Sequence, residues 1–225
     1  MNADSNIKAI KARRVFDSRG NPTLEVDITT NNNVVGRAMS PSGASKGTGE
    51  AIELRDKDDS FLGKDVKKAI KKINHELSKL LINTSCLEQE KFDKILLNYD
   101  GTKNKSIIGG NVSTALSLAN YICGAKYKKI PLYKYCLENK QFNMPIPEIQ
   151  IFGGGAHAGN ISSFQDFLIF PIKDIDIVQF FEMAFKIYNT VKNELEKNGI
   201  LKGYSDEGGF WPSQLNHFEI CEYIN

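Results

Sequence analysis

The sequence predicts an α+β domain followed by the opening of an α/β unit, and three observations carry that expectation. Residues 23–30, Thr-Leu-Glu-Val-Asp-Ile-Thr-Thr, alternate polar and apolar at period two, as a half-buried strand does. Helical periodicity then takes over and recurs up to Lys126. Beyond Pro145 and Pro147 come two short apolar runs and a long amphipathic segment. At 225 residues, 41% of them hydrophobic, the chain is large enough for one big domain or two small ones with real cores.

Taken in order, Ile7 to Ser40 reads as a small antiparallel sheet, the pattern resuming at Val34 and Val35 after an Asn31-Asn32-Asn33 turn. Ser40 to Gly49 is built from small and turn-forming residues, the composition of a mobile flap, and such loops often carry function. From Asp65 to Leu81, Val66, Ala69, Ile70, Ile73, Leu77, Leu80 and Leu81 fall on one helical face, with the lysines and His75 on the other. Ser85-Cys-Leu-Glu88 has the capping-box pattern ahead of a helix through Phe92, Ile95 and Leu96 that stops near Asp100-Gly101. A third helix over about 111–126 buries Val112, Ala115, Leu116, Ala119, Ile122 and Cys123.

The prolines of Asn143–Pro147 mark a boundary, because each forces its predecessor into extended geometry. Ile146 to Phe152 and Phe164 to Pro171 read as buried strands separated by Gly153-Gly154-Gly155. A helix from about Ile175 to Lys197 presents Ile177, Phe180, Phe181, Ala184, Tyr188, Val191 and Leu195, with Gly199 as its C-cap. The turn Ser205-Asp-Glu-Gly-Gly209 and a short amphipathic piece complete the sequence.

Composition excludes several function classes. Twenty-nine Lys plus Arg against twenty-seven Asp plus Glu leave +2, too little to make nucleic acid or an anionic membrane the expected partner. No leader pattern opens the sequence and no apolar run approaches the roughly 18 residues of a bilayer span, so a cytoplasmic protein is expected. Cys86, Cys123, Cys136 and Cys221 form no C-x-x-C pair, and reduced, structural thiols are expected. The glycine runs do not fit a dinucleotide fingerprint, and the lysine-rich stretch Lys64–Lys79 is a solvated face.

Several strings now fall into one frame. Arg13-Arg-Val-Phe-Asp-Ser-Arg-Gly-Asn-Pro-Thr23, Pro41-Ser-Gly-Ala-Ser45, Asp100-Gly-Thr-Lys-Asn-Lys-Ser106, Pro131-Leu-Tyr133, Gly154-Gly155 through His157-Ala158, and Asp206-Glu-Gly-Gly209 together resemble the enolases, in the family's order. The resemblance implies an enolase-like α+β N-terminal domain over 1–140 and an incomplete α/β, TIM-type barrel portion over 141–225. Such a barrel takes about 250 residues, so this stretch cannot close one. The three magnesium-binding carboxylates and the catalytic lysine of the family lie beyond it. A truncated or split lyase is therefore expected, inactive alone. It would need a second chain with the rest of the barrel, or act in a homodimer, to dehydrate 2-phosphoglycerate to phosphoenolpyruvate with Mg2+.

Carried over residue by residue, Glu207 matches the glutamate that assists departure of the C3 hydroxyl, and Asp166 stands for the family's second acidic residue. His157 and Gln165 match substrate-side residues, and Ser45 matches the loop serine that completes a second magnesium. Outside that frame each would be an ordinary turn or loop residue. The frame also has departures. The family's Gln-Glu-Phe is Gln165-Asp166-Phe167, which withdraws a carboxylate by about 1–1.5 Å, a shift on the scale that costs about a hundredfold in rate. Asn-Gly-Gly becomes Gly153-Gly154-Gly155, a Thr becomes Lys46, a Gly becomes Ser205, and Trp211 stands where a small residue is common. Two alternatives follow: a non-catalytic enolase-like scaffold, or part of a paralogue acting on another phospho- or phosphono-acid.

Overall fold

The computed structural model describes residues 3–43, 47–137, 141–158, 163–213 and 215–224, without the side chains of 156 and 157. It divides into two compact units, Met1–Phe142 and Asn143–Asn225.

In the first unit, β1 (Ile7–Phe16), β2 (Pro22–Thr30) and β3 (Val35–Met39) form an antiparallel sheet in sequence order. The alternation along β2 sends Leu24, Val26 and Ile28 into the core and Glu25 and Asp27 to the opposite face. There Arg13 pairs with both carboxylates, and Arg37 Nε lies 2.6 Å from Asp27 Oδ1. The hydrogen bond from Arg37, joined by Arg13, holds the Asp27 carboxyl well below the usual range despite its partial burial.

The lysine-rich helix runs as α1 (Lys67–Lys72), a π turn (Ile73–Leu77) and α2 (Ser78–Leu81). The extra residue of the π turn rotates everything after it by about 100°. Ser78 is therefore buried, and Leu80, expected on the apolar face, is 48% exposed. The same turn aims Asn74 at β1, where its side chain accepts from Ala12 N at 2.8 Å and donates to Ala12 O at 3.1 Å.

Helix α3 (Gln89–Asp100) starts at Glu88 with no side-chain cap, so the capping box is not formed. Ser85 is held extended by its bridge to Asn6, and its hydroxyl pairs with that of Ser5 at 2.9 Å. The helix ends where expected, with Gly101 left-handed at φ +64°. The buried Asp100 carboxylate then gathers Thr102 N (2.9 Å), Ile107 N (3.1 Å) and Ile108 N (2.7 Å), which explains the Asp-Gly-Thr string as a loop organiser.

Helix α4 (Gly110–Tyr127) crosses β2 and β3. A Cβ on Gly36 would fall 2.2 Å from Ala119 O, so only glycine permits this approach. Helix α5 (Leu132–Leu137) was not anticipated, being six residues long with none buried. At the base of the Ser40–Gly49 loop, Thr23 Oγ1 donates to Ser40 O at 2.7 Å, and the Arg55 guanidinium donates to Lys64 O at 2.7 Å and Ser42 Oγ at 3.3 Å.

In the second unit, β4 (Ile149–Gly153), β5 (Asp166–Ile169), β6 (Leu201–Tyr204) and β7 (Phe210–Pro212) form a sheet of order β5-β4-β7-β6. Pairs β4–β5 and β6–β7 are antiparallel, whereas β4 and β7, separated by a helical crossover, run parallel. That crossover is α6 (Ile177–Lys197), which begins at Asp176, whose Oδ1 accepts from Val178 N (2.8 Å) and Gln179 N (3.3 Å). Gly199, φ +66°, turns the chain after it.

Ile151, Phe152, Val191, Leu195, Phe210 and, from α7 (His217–Ile224), Ile220 make the core. Two expectations are corrected. Strand β5 is an edge, with Phe167 and Ile169 facing the core and Asp166 and Leu168 exposed, so it is only half-buried. Phe181 of α6 is 50% exposed, the buried stripe being narrowed to Phe180, Ala184, Val191 and Leu195. No helix among the described residues is long and apolar enough to cross a membrane.

Candidate active site

The turn between β6 and β7 carries Glu207 and is tied to its surroundings at several points. Within it, Ser205 N donates to Gly209 O at 2.8 Å and Gly208 N donates to Ser205 O at 3.0 Å. From α6, the Tyr188 hydroxyl donates to Gly208 O at 2.7 Å, and burial, with Tyr204 nearby, pushes the phenol above its ordinary range so that it remains a donor. From β4, Gln150 Oε1 accepts from Ser205 Oγ at 2.6 Å and from Gly209 N at 2.9 Å.

This packing leaves no room for side chains at two glycines. A Cβ on Gly209 would fall 2.3 Å from Gln150 Oε1, and one on Gly153 would fall 2.3 Å from Ser205 Cβ. The glycines of the two turns therefore let the second turn lie against β4.

On the other side of β4, Asp166 stands opposite Gly153 in the β4–β5 register, and its Oδ1 accepts from Gln150 Nε2. Asp166, Glu207 and Glu148 line one cleft of about 560 Å³ together with Gln150, Leu168, Tyr188 and Gly208. Asp166 and Glu207, singled out on the sequence, thus share a cavity. Gln165 is exposed just before β5, its carbonyl accepting from Gly154 N at 2.7 Å, and does not line the cleft. Trp211 does not line it either, and stands against Gly203, its paired residue on β6. His157 lies in the single 3-10 turn Gly155–Ala158, its imidazole outside the described residues, as are Ser45 and Lys46 altogether.

Sequence reasoning passed over Gln150 and Glu148, and placed Tyr188 only on an apolar face. The signal for Gln150 was present: it is the one amide in the apolar run Ile146 to Phe152.

The arrangement holds three carboxylates, Glu148, Asp166 and Glu207, at a cleft with a phenol and an amide around them, a set suited to moving protons at a bound acid. It does not fit a metal cage. No group of three His, Cys, Asp or Glu side chains among the described residues is placed to hold a metal ion.

Two family models match in tandem: the enolase N-terminal domain over residues 7–136 and the enolase C-terminal TIM barrel domain over residues 141–224. Among curated relatives, Enolase 1 of Desulfitobacterium hafniense (strain Y51) is 44% identical over 223 residues, covering 97% of this chain and 51% of the relative. Enolase of Natranaerobius thermophilus is 40% identical over 220 residues, covering 98% and 52%, and enolase of Mycoplasmopsis pulmonis is 39% identical over 225 residues, covering 98% and 49%. The chain spans about half the length of the curated relatives it matches. The match to both domain models, together spanning Ile7 to Ile224, places this chain in the enolase family.

Proposed function

We propose that these residues supply the N-terminal domain and the acid side of the barrel of an enolase-type lyase, one that dehydrates 2-phosphoglycerate to phosphoenolpyruvate. The observation that carries the reading is the shared cleft of Asp166 and Glu207, with Glu207 on a turn fixed at Gly208, Ser205 and Gly209. Departure of a hydroxide from C3 needs a proton donor held at a set position, and a carboxyl on a rigid turn meets that need. In this reading Glu207 protonates the leaving hydroxyl and Asp166 stands beside it, while His157 and Gln165 bind the substrate. Magnesium belongs to the reading through the family and Ser45, but its principal ligands and the base that removes the C2 proton lie outside these residues.

The rest of the barrel must therefore be provided, by a further segment or by a second chain. Exposed apolar side chains on the second unit, among them Ile172 (87%), Val178 (70%) and Phe185 (69%), give it a reason to associate. The test fuses the barrel remainder of the Desulfitobacterium hafniense relative after Asn225, or co-expresses it, and follows phosphoenolpyruvate formation with magnesium. Turnover that falls at least about a hundredfold on Glu207→Gln is expected, with none from the 225 residues alone. A folded assembly with no turnover would reject the reading.

A further inference from the structure

We propose that Gln150 is a positioning residue that sets the distance between the two carboxylate-bearing segments of the cleft, an inference that rests on the reading just given. Strand β4 is central, with β5 on one side and β7 on the other, and Gln150 reaches both ways across it. Its Nε2 donates to Asp166 Oδ1 on β5, and its Oε1 accepts from Ser205 Oγ at 2.6 Å and Gly209 N at 2.9 Å, at the two ends of the turn that carries Glu207.

The chemistry of the partners permits only this orientation. An ionised carboxylate only accepts and a backbone N–H only donates, so a flipped amide would lose both bonds. The β4–β5 register shifts between Gln150 and Phe152, and a bulge at this point re-aims the side chain beside it. The Tyr188 hydroxyl, by contrast, bonds to the Glu207 turn at Gly208 O.

The reach of the clamp is the sum of two side-chain lengths. Asp166 is short and Gln150 is long, so shortening Gln150 while lengthening Asp166 by a methylene restores the contact between them, while the bonds to Ser205 and Gly209 depend on the reach of residue 150 alone. Asp166→Glu alone overfills it and Gln150→Asn alone breaks it.

Two measurements test this and separate its failure from that of the functional reading. In this chain alone, hydrogen exchange at the Gly209 amide should accelerate about tenfold or more in Gln150→Leu, which keeps the bulk, removes all three bonds and leaves the amide only the longer contact to Ser205 Oγ at 3.1 Å. In the assembly completed with the barrel remainder, Gln150→Asn and Asp166→Glu should each lower kcat about tenfold to a hundredfold with KM changed less than about threefold. The Gln150→Asn/Asp166→Glu pair, which regains the contact to β5 alone, should turn over at least about threefold faster than the worse single. Unchanged Gly209 exchange would overturn the clamp whatever the activity. Faster exchange with kcat unaffected, or a double variant no better than the worse single, would overturn the positioning role. Faster exchange in Gln150→Leu together with a parent assembly that forms no phosphoenolpyruvate would reject the functional reading and reduce Gln150 to a structural tie.

Discussion

A Cβ on Gly153 would sit 2.3 Å from Ser205 Cβ and 2.4 Å from Ser205 Oγ, so the side chain at 205 occupies the space that any side chain at 153 would need. Two departures from the enolase strings, glycine for Asn at 153 and serine for Gly at 205, thus meet in one contact. Gly153→Ala should destabilise the second unit by about 1–3 kcal/mol through overpacking. Removing Ser205 as well should relieve that clash while forfeiting the hydroxyl's bonds, worth about 1 kcal/mol. The pair should therefore be non-additive by more than about 1 kcal/mol. Urea unfolding followed by the fluorescence of Trp211, the sole tryptophan and a member of β7, reads this directly, and additive effects would sink the coupling.

Acid should weaken the first unit. Burial alone would raise the Asp100 and Asp65 carboxyls, but it is outweighed, at Asp100 by Thr102 and the amides of Ile107 and Ile108, at Asp65 by Val66 N and Arg14, and both end below the usual range. A depressed native value means the stabilisation is fully present above about pH 4 and is lost as pH falls through the native pKa values. Melting temperature should be flat from neutral pH to about pH 5 and drop below pH 4. Asp100→Ala should cost about 2–4 kcal/mol at neutral pH by orphaning three amides, and should flatten the acid limb. A variant as acid-sensitive as the parent would show the assignment to be wrong.

Thiol reactivity should split by location. Cys86 and Cys123 are both fully buried, and a hydrogen bond with Cys123 together with burial pushes the Cys86 thiol up. Cys136 and Cys221 are exposed. Maleimide on the native chain should label only Cys136 and Cys221, and unfolding should release the remaining pair, as read by intact mass. Rapid native labelling of Cys86 or Cys123 would contradict the packing of α4 against the sheet.

Asn74 should be the residue by which the π turn earns its place. Asn74→Ala removes both hydrogen bonds to Ala12 and should cost about 1–2 kcal/mol. Asn74→Asp should be worse, because it sets a carboxylate oxygen against the Ala12 carbonyl. Circular-dichroism melts of the two variants decide, and equal stabilities would argue that the amide is dispensable.

What the sequence disclosed was set by local periodicity. Strands β2 and β3 and helices α3, α4 and α6 were legible because their burial repeats at the period of their own geometry. Leu80 was misplaced because a π turn changes the phase without any marker in composition. Ser85 was misread because a tertiary bridge to Asn6 took the residue that a local rule assigns to a cap. Strand β5 looked buried because apolar content does not disclose which strand of a sheet is the edge. At the candidate site, Asp166 and Glu207 were found through the family frame, whereas Gln150 emerged only with the register that sets it between them.

The alternation along β5 gives the bulge at Gln150 a second consequence, for folding. If β5 slid by one residue, Phe167 and Ile169 would turn to water and Asp166 inward, and the amide would face a partner of the wrong polarity. An irregularity in the ladder therefore acts as an alignment stop, penalising mis-threaded hairpins before the remaining strands arrive.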